Sequence, residues 1–83
     1  DLEKLSKEIK DILRDIDLDM GIKQKIEESV ETLESELSKS EPKKGLVEIV
    51  LEGLENLLPN IKDHIELTAN ITNIISFAMS VIK

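Results

Sequence analysis

The side chains that could carry acid–base or metal chemistry are few in this chain. Its 83 residues contain one histidine, His64, and no cysteine, which excludes thiolate ligands, disulfides and thiol nucleophiles. Asp63 and Glu66 flank His64, but on a helix the three side chains point about 100° to 300° apart and do not converge. A metal site in a helical bundle takes Glu-x-x-His pairs from facing helices, whereas here Ile61 stands three residues before the histidine. We expect His64 to be a surface or boundary residue near a helix start.

Carboxylates are more numerous, and a cluster of them lies on one predicted helix. It consists of Glu27, Glu28, Glu31 and Glu34. Carboxylates at helical spacings of three and four usually form a solvated face, and the nearby Lys23 and Lys25 compensate part of the charge. Segment 15–21 has acidic residues at alternate positions like a calcium loop, but Ile26 stands where such a loop needs a bidentate glutamate. The pattern therefore predicts no metal site.

The remaining chemistry is equally sparse. No serine has a spacing that links it to His64 as a nucleophile to its base, and no glycine-rich phosphate loop is present. Eighteen acidic and eleven basic residues give a net charge of −7, which repels phosphate backbones and anionic lipid surfaces. We therefore predict that the chain is not an enzyme, uses no cofactor or metal and does not bind nucleic acid.

Apolar residues recur at helical intervals in four successive stretches. They predict an all-α chain of four amphipathic helices over about 2–16, 20–38, 42–58 and 60–82. Residues 1–41 hold 13 acidic and 7 basic side chains, a net charge of −6, and residues 42–83 hold 5 and 4, a net charge of −1. An acidic hairpin is thus followed by an apolar one. With short loops, the simplest packing is an antiparallel four-helix bundle that forms a single helical domain.

Polar residues between these stretches predict the helix ends. Either Asp17 or Asp19 is predicted to cap the second helix by accepting a hydrogen bond from a free main-chain N–H. Ser40 is predicted to cap the third helix, which would place Pro42 in its first turn, where a missing N–H costs nothing.

The fourth predicted helix differs from the others. Asn60 and Asp63 are predicted to cap it, and the chain at Pro59 forms either a sharp hairpin or one kinked rod. From residue 67 to residue 82 there is no charge, and the apolar arc is wider than a bundle helix needs. This length falls short of the ~20 apolar residues that span a bilayer, which disfavours a membrane span. We expect the apolar residues to serve partly the core and partly an interface: Leu67, Ile71, Ile74, Ile75, Phe77, Ala78, Val81 and Ile82.

One stretch resembles a known kind of module. It consists of Leu33-Glu34-Ser35-Glu36-Leu37, the loop Pro42-Lys43-Lys44, then Gly45-Leu46-Val47-Glu48 and Leu54-Glu55-Asn56-Leu57-Leu58. These residues resemble the small acidic helical tails at the C-termini of bacterial defence and abortive-infection proteins, where an apolar closing helix follows. The resemblance covers about residues 25–80. It implies a non-catalytic module, appended to a larger protein, that oligomerises that protein or docks it.

These observations predict an interaction or oligomerisation module. Its partner would be another protein or a second copy, held through the fourth helix. The chain begins at Asp1 rather than methionine, which agrees with a piece of a larger protein, and its charged start lacks the apolar region of a secretory signal. A cytoplasmic location is therefore expected. Aspartate at Ile74 and at Ile75 is expected to unfold the domain in one case and only to dissociate an oligomer in the other.

An alternative function belongs to a different class. A small acidic inhibitor, such as an immunity protein, an antitoxin or an anti-defence protein, would mask a basic site on its partner through Glu27, Glu31 and Glu34. Binding of that kind weakens as salt rises, whereas association through the uncharged fourth helix should be insensitive to salt.

Overall fold

The computed structural model describes residues 1–82 and shows the predicted antiparallel four-helix bundle. Over these residues it contains α1 (Leu2–Asp15), α2 (Met20–Leu37), α3 (Lys44–Leu57) and α4 (Ile65–Ile82), with no strand. Helices adjacent in sequence pack against each other, and α4 also packs against α1 and α2. The bundle measures 36 × 22 × 18 Å. The last helix therefore closes the bundle by contacting all three of the others.

A single apolar core runs along the bundle. Every helix contributes to it through residues at helical spacing, and nearly all of them are leucine, isoleucine or valine. The large side chains that are fully enclosed are Ile9, Ile26, Leu33, Leu54, Ile61, Leu67, Ile71 and Ile74. Burial of these faces decides which side of each helix is turned inward and which side remains for solvent or a partner.

The turn between α1 and α2 follows the prediction closely. Ile16 has an extended backbone, so α1 ends one residue earlier than expected. Of the two capping candidates, Asp19 is the residue that caps α2: its carboxylate accepts a hydrogen bond from the main-chain N–H of Ile22 at 3.2 Å.

The loop between α2 and α3 departs from the prediction, because α3 begins at Lys44 rather than at residue 42 and is not capped by Ser40. The reason is Glu36, which is buried near the end of α2. Its carboxylate accepts hydrogen bonds from the main-chain N–H of Lys43 at 2.9 Å and from Nζ of Lys39 at 3.0 Å. The bond from Lys43 is the main cause, and that from Lys39 the second, of a pKa for Glu36 below its ordinary value. Glu36 thus fixes where α3 starts.

The junction between α3 and α4 is a hairpin and not a kinked rod, since the two helices pack side by side. A one-turn 3₁₀ helix, Leu58–Asn60, contains Pro59 and ends α3. The main-chain N–H of Ile61 then donates to the carbonyl of Leu58 at 3.1 Å. Ile61 is fully buried, so the chain has to turn here to bring this side chain into the core.

The start of α4 lies five residues later than predicted, at Ile65. The predicted cap by Asn60 and Asp63 is therefore wrong. The carbonyl of His64 accepts the first main-chain bond of the helix, from the N–H of Thr68 at 2.9 Å. The capping pattern in the sequence did not predict this later start of α4. The start depends on the burial of Ile61 in the core, which is a tertiary contact.

Two glycines lie within α3, at positions 45 and 53. A Cβ atom built on Gly45 or on Gly53 would meet no atom within 4 Å. Packing does not require glycine at either position. Gly53 lies in the helix interior, where glycine costs about 1 kcal/mol relative to alanine, whereas Gly45 lies in the first turn. The backbone of α3 therefore contributes less to its own helical stability than its length suggests.

We expect Glu36→Gln to lower the thermal midpoint of unfolding at neutral pH, because it removes the charge from two hydrogen bonds. A carboxyl whose pKa is lowered by folding stabilises the fold above its ordinary pKa, here 4.5, and loses that contribution as pH falls through the lower folded value. The difference in midpoint between the wild type and Glu36→Gln should therefore be constant from about pH 7 to pH 5 and shrink below that. Circular dichroism measures it.

The control for this experiment is Glu27→Gln, an exposed residue on the same helix. It should leave the midpoint almost unchanged across the range. A difference for Glu36→Gln that persists undiminished at the most acidic pH would contradict the assigned role of the carboxylate.

Candidate docking surface

The eight residues predicted for an interface are divided between the core and the surface. Those in the core are Leu67, Ile71, Ile74, Ile75 and Ala78. Phe77 and Ile82 are half-buried, and Val81 is 45 % exposed. The part of this set that reaches solvent lies in the last two turns of α4.

Two of these residues were expected to respond differently to aspartate. Ile74 is fully buried and Ile75 is 7 % exposed, so both belong to the core. A carboxylate at either position would be buried without a partner, which is strongly destabilising. The structure therefore predicts unfolding in both cases, and the expected contrast loses its basis. An interface on α4 therefore has to be tested by substitutions at exposed positions of this helix.

The exposed side of α4 is uncharged beyond its first turn. We call this part of the helix the α4 outer face, and it comprises Ala69, Thr72, Asn73, Ser76, Met79 and Ser80. Most of these side chains are small. The exposed Glu66 lies just before the α4 outer face, in the first turn. Five of the 18 residues of α4, or 28 %, are buried, and the others are exposed or half-buried on a protein with a net charge of −7. The α4 outer face is thus an uncharged surface on an acidic protein.

By length and composition alone, Ile65–Ile82 is also a helix that could cross a membrane. The core helices of soluble proteins have the same length and composition, so this property is weak evidence for a span. The hydroxyl and amide side chains of the α4 outer face would be costly in lipid without partners.

A groove of about 330 Å³ lies between α3 and α4, next to the α4 outer face. Its floor is apolar and is formed by Leu51, Met79 and Ile82. One wall, which we call the acidic wall, is formed by Glu48, Glu52 and Glu55. We call the whole feature the α3/α4 groove. Lys44 is the single cationic residue that lines it.

The acidic wall is not neutralised by the bundle itself. Across residues 1–82, no ion pair shorter than 4.0 Å involves Glu48, Glu52 or Glu55. The three side chains follow each other at intervals of four and three along one helix, where like charges destabilise a helix by about 0.2–0.5 kcal/mol per pair. Glu55 also lies in the last turn of α3, where the helix dipole disfavours a carboxylate. The wall therefore costs α3 stability.

The acidic cluster on α2 is used differently. Glu34 accepts a hydrogen bond from the buried Ser6 hydroxyl at 2.7 Å. Nζ of Lys10 lies 3.7 Å from the carboxylate of Glu31 and 3.8 Å from that of Glu34. Two of the three glutamates assigned to the inhibitor hypothesis thus join α2 to α1, and Glu27 remains exposed.

No metal-binding arrangement accompanies these surfaces. Within the described part of the chain, no group of three or more histidine, aspartate or glutamate residues is placed to hold a metal ion. His64 is half-buried, and its established contacts are those of its main chain at the start of α4.

Comparisons of the chain with protein-family models, with curated proteins and with solved structures found no match. The resemblance of residues 25–80 to tails of bacterial defence proteins therefore stays a prediction.

Sequence reasoning did not identify the acidic wall. The second half of the chain was treated as an apolar hairpin because its net charge is only −1. The signal that could have revealed the wall is the spacing of Glu48, Glu52 and Glu55, which places all three on one face of a helix. That this face borders α4 follows only from the packing of the helices.

The division of α4 and α3 into core and surface can be tested with a matched pair. Ile74→Ala removes a fully buried side chain and should lower the free energy of unfolding by about 2–5 kcal/mol. Ile49→Ala makes the same chemical change at a side chain that is 71 % exposed and should change it by about 0.5 kcal/mol or less. Urea denaturation measures both. Equal losses at the two positions would contradict the assigned burial.

Proposed function

We propose that this chain is a non-catalytic helical interaction module that docks a partner protein or a second copy of itself through α4. The docking surface is the α4 outer face together with its border on α3. The resemblance of residues 25–80 to the helical tails of larger proteins, which is itself a prediction, implies the same role.

The observation that carries the proposal is the uncharged and largely exposed surface of α4. A helix in a small bundle needs an apolar stripe on one side and normally carries charges on the other. Here the buried side is complete, yet the outer side remains uncharged over sixteen residues. Interface centres are depleted of charged residues relative to the rest of a protein surface. The α4 outer face shares this lack of charge, and Met79 is its large apolar side chain beyond the first turn.

Two kinds of partner differ in their dependence on salt. A second copy would bring another uncharged α4 outer face, so association through it should be insensitive to ionic strength. A partner that also covers the acidic wall would bind through charge as well and would be released as salt rises. Measurements at low and at high salt therefore separate the two.

Light scattering on a sizing column tests self-association. A species heavier than 9.4 kDa that survives a tenfold dilution and high salt would support a second copy as the partner. In that case Ser76→Glu should shift the protein towards the monomer, because it places a charge at the centre of the α4 outer face.

The matched control is Ser35→Glu, which introduces the same side chain at an exposed position of α2. It should leave the mass unchanged. Equal effects of the two variants would contradict docking through α4. A strict monomer would rule out the second copy, and it leaves the partner protein, whose class is tested next.

A further inference from the structure

We infer that the α3/α4 groove binds a cationic amphipathic helix from a partner protein. This inference rests on the proposed docking function and names the chemistry of the partner. Aliphatic side chains of that helix would lie on the apolar floor, and its lysine or arginine side chains would pair with the acidic wall.

The floor fits an aliphatic side chain of a partner. Leu51 is nearly buried and belongs to the core, so the floor is held by the bundle. Met79 is 48 % exposed, and its flexible thioether adapts to the shape of what covers it. Ile82 is half-buried beside it. An amphipathic helix lying in such a groove is a common form of peptide recognition.

The wall selects for positive charge. Its three carboxylates lie along α3 in line with the groove, and the stretch from Glu48 to Glu55 spans about 10 Å, which is two turns of a partner helix. A cation that approaches the carboxylates relieves the repulsion among them. A second copy would bring an identical acidic wall to this site, so charge disfavours it as the occupant.

Another groove is larger, but its lining does not indicate the charge of a partner. The groove between α2 and α3, of about 470 Å³, is lined by one cation, Lys25, and one carboxylate, Glu28. It does not favour a partner of either charge. The α3/α4 groove combines an apolar floor with three carboxylates and one cation, Lys44, and this excess of negative charge favours a cationic partner.

The two methionines of the chain provide a direct experiment. Met79 lies in the groove, whereas Met20 is 76 % exposed at the start of α2, at the opposite end of the bundle. Methyl-¹³C labelling of methionine gives one signal for each. The probe is a designed helix of about 14 residues with leucine at i, i+4 and i+7 and lysine on its polar side. We expect it to shift the Met79 signal and to leave the Met20 signal in place.

Two further peptides and lipid vesicles define the chemistry of the partner. The same helix with glutamate in place of lysine should not bind, and neither should a scrambled lysine peptide of equal charge that is not amphipathic. Affinity for the lysine helix should fall as salt is raised. Vesicles of phosphatidylcholine, with or without phosphatidylserine, should leave the Met79 signal unchanged. Binding to vesicles instead of the peptide would overturn the inference in favour of a membrane surface.

Matched charge variants locate the binding. Glu48→Gln with Glu52→Gln should weaken the lysine helix by about threefold to tenfold at low salt. Glu27→Gln with Glu28→Gln removes the same charge from α2 and should change affinity less than twofold. The first pair should also raise the urea midpoint of the free protein, because it removes repulsion within α3. Equal weakening by both pairs would show nonspecific attraction and would overturn the inference.

The remaining outcomes separate this inference from the proposed function. If the lysine and the glutamate helices both shift Met79 with equal affinity, the docking surface is real and the cationic partner is wrong. If neither peptide shifts Met79, the groove is not a docking site, and the α4 outer face is then judged by light scattering alone. A strict monomer together with an unmoved Met79 would overturn both proposals.

Discussion

The bundle depends on a buried carboxylate that joins the end of one helix to the start of the next. Glu36 accepts the main-chain N–H of Lys43, and α3 has no side-chain cap of its own. This bond therefore sets the residue at which α3 begins, and with it the register of α3 along the bundle. The register in turn places Leu51 and the acidic wall next to the last turns of α4. A carboxylate near the end of α2 thus influences the geometry of a surface on two other helices.

The two sides of α4 have different roles: one belongs to the core and the other is an uncharged surface. Its buried side contacts all three other helices and supplies much of the core. Beyond Glu66 in the first turn, its outer side carries no charge, although the outer side of a bundle helix normally does. The charged residues of the protein lie almost entirely outside α4, and the outer face of this helix is left uncharged. The acidic wall of α3 borders that surface, so apolar and electrostatic recognition lie side by side.

The sequence predicted the helices well because their apolar residues follow the helical period, which depends only on local spacing. The end of α1 and the cap at Asp19 were also local properties. The starts of α3 and α4 were predicted wrongly because tertiary contacts decide them: a hydrogen bond from Lys43 to a carboxylate seven residues earlier, and the burial of Ile61. The acidic wall could be seen as a stripe on α3, but its position beside Met79 required the packing of the whole chain.

The two glycines of α3 have a consequence for how the bundle opens. With glycine at 45 and 53, three neighbouring carboxylates and no side-chain cap, α3 is held in place mainly by its neighbours. Local opening begins where a helix has little stability of its own, so the amide protons of α3 should exchange with solvent sooner than those of α4. A ligand bound along α3 would also stabilise this helix against local opening. Hydrogen exchange of the α3 amide protons would therefore become slower when the ligand binds.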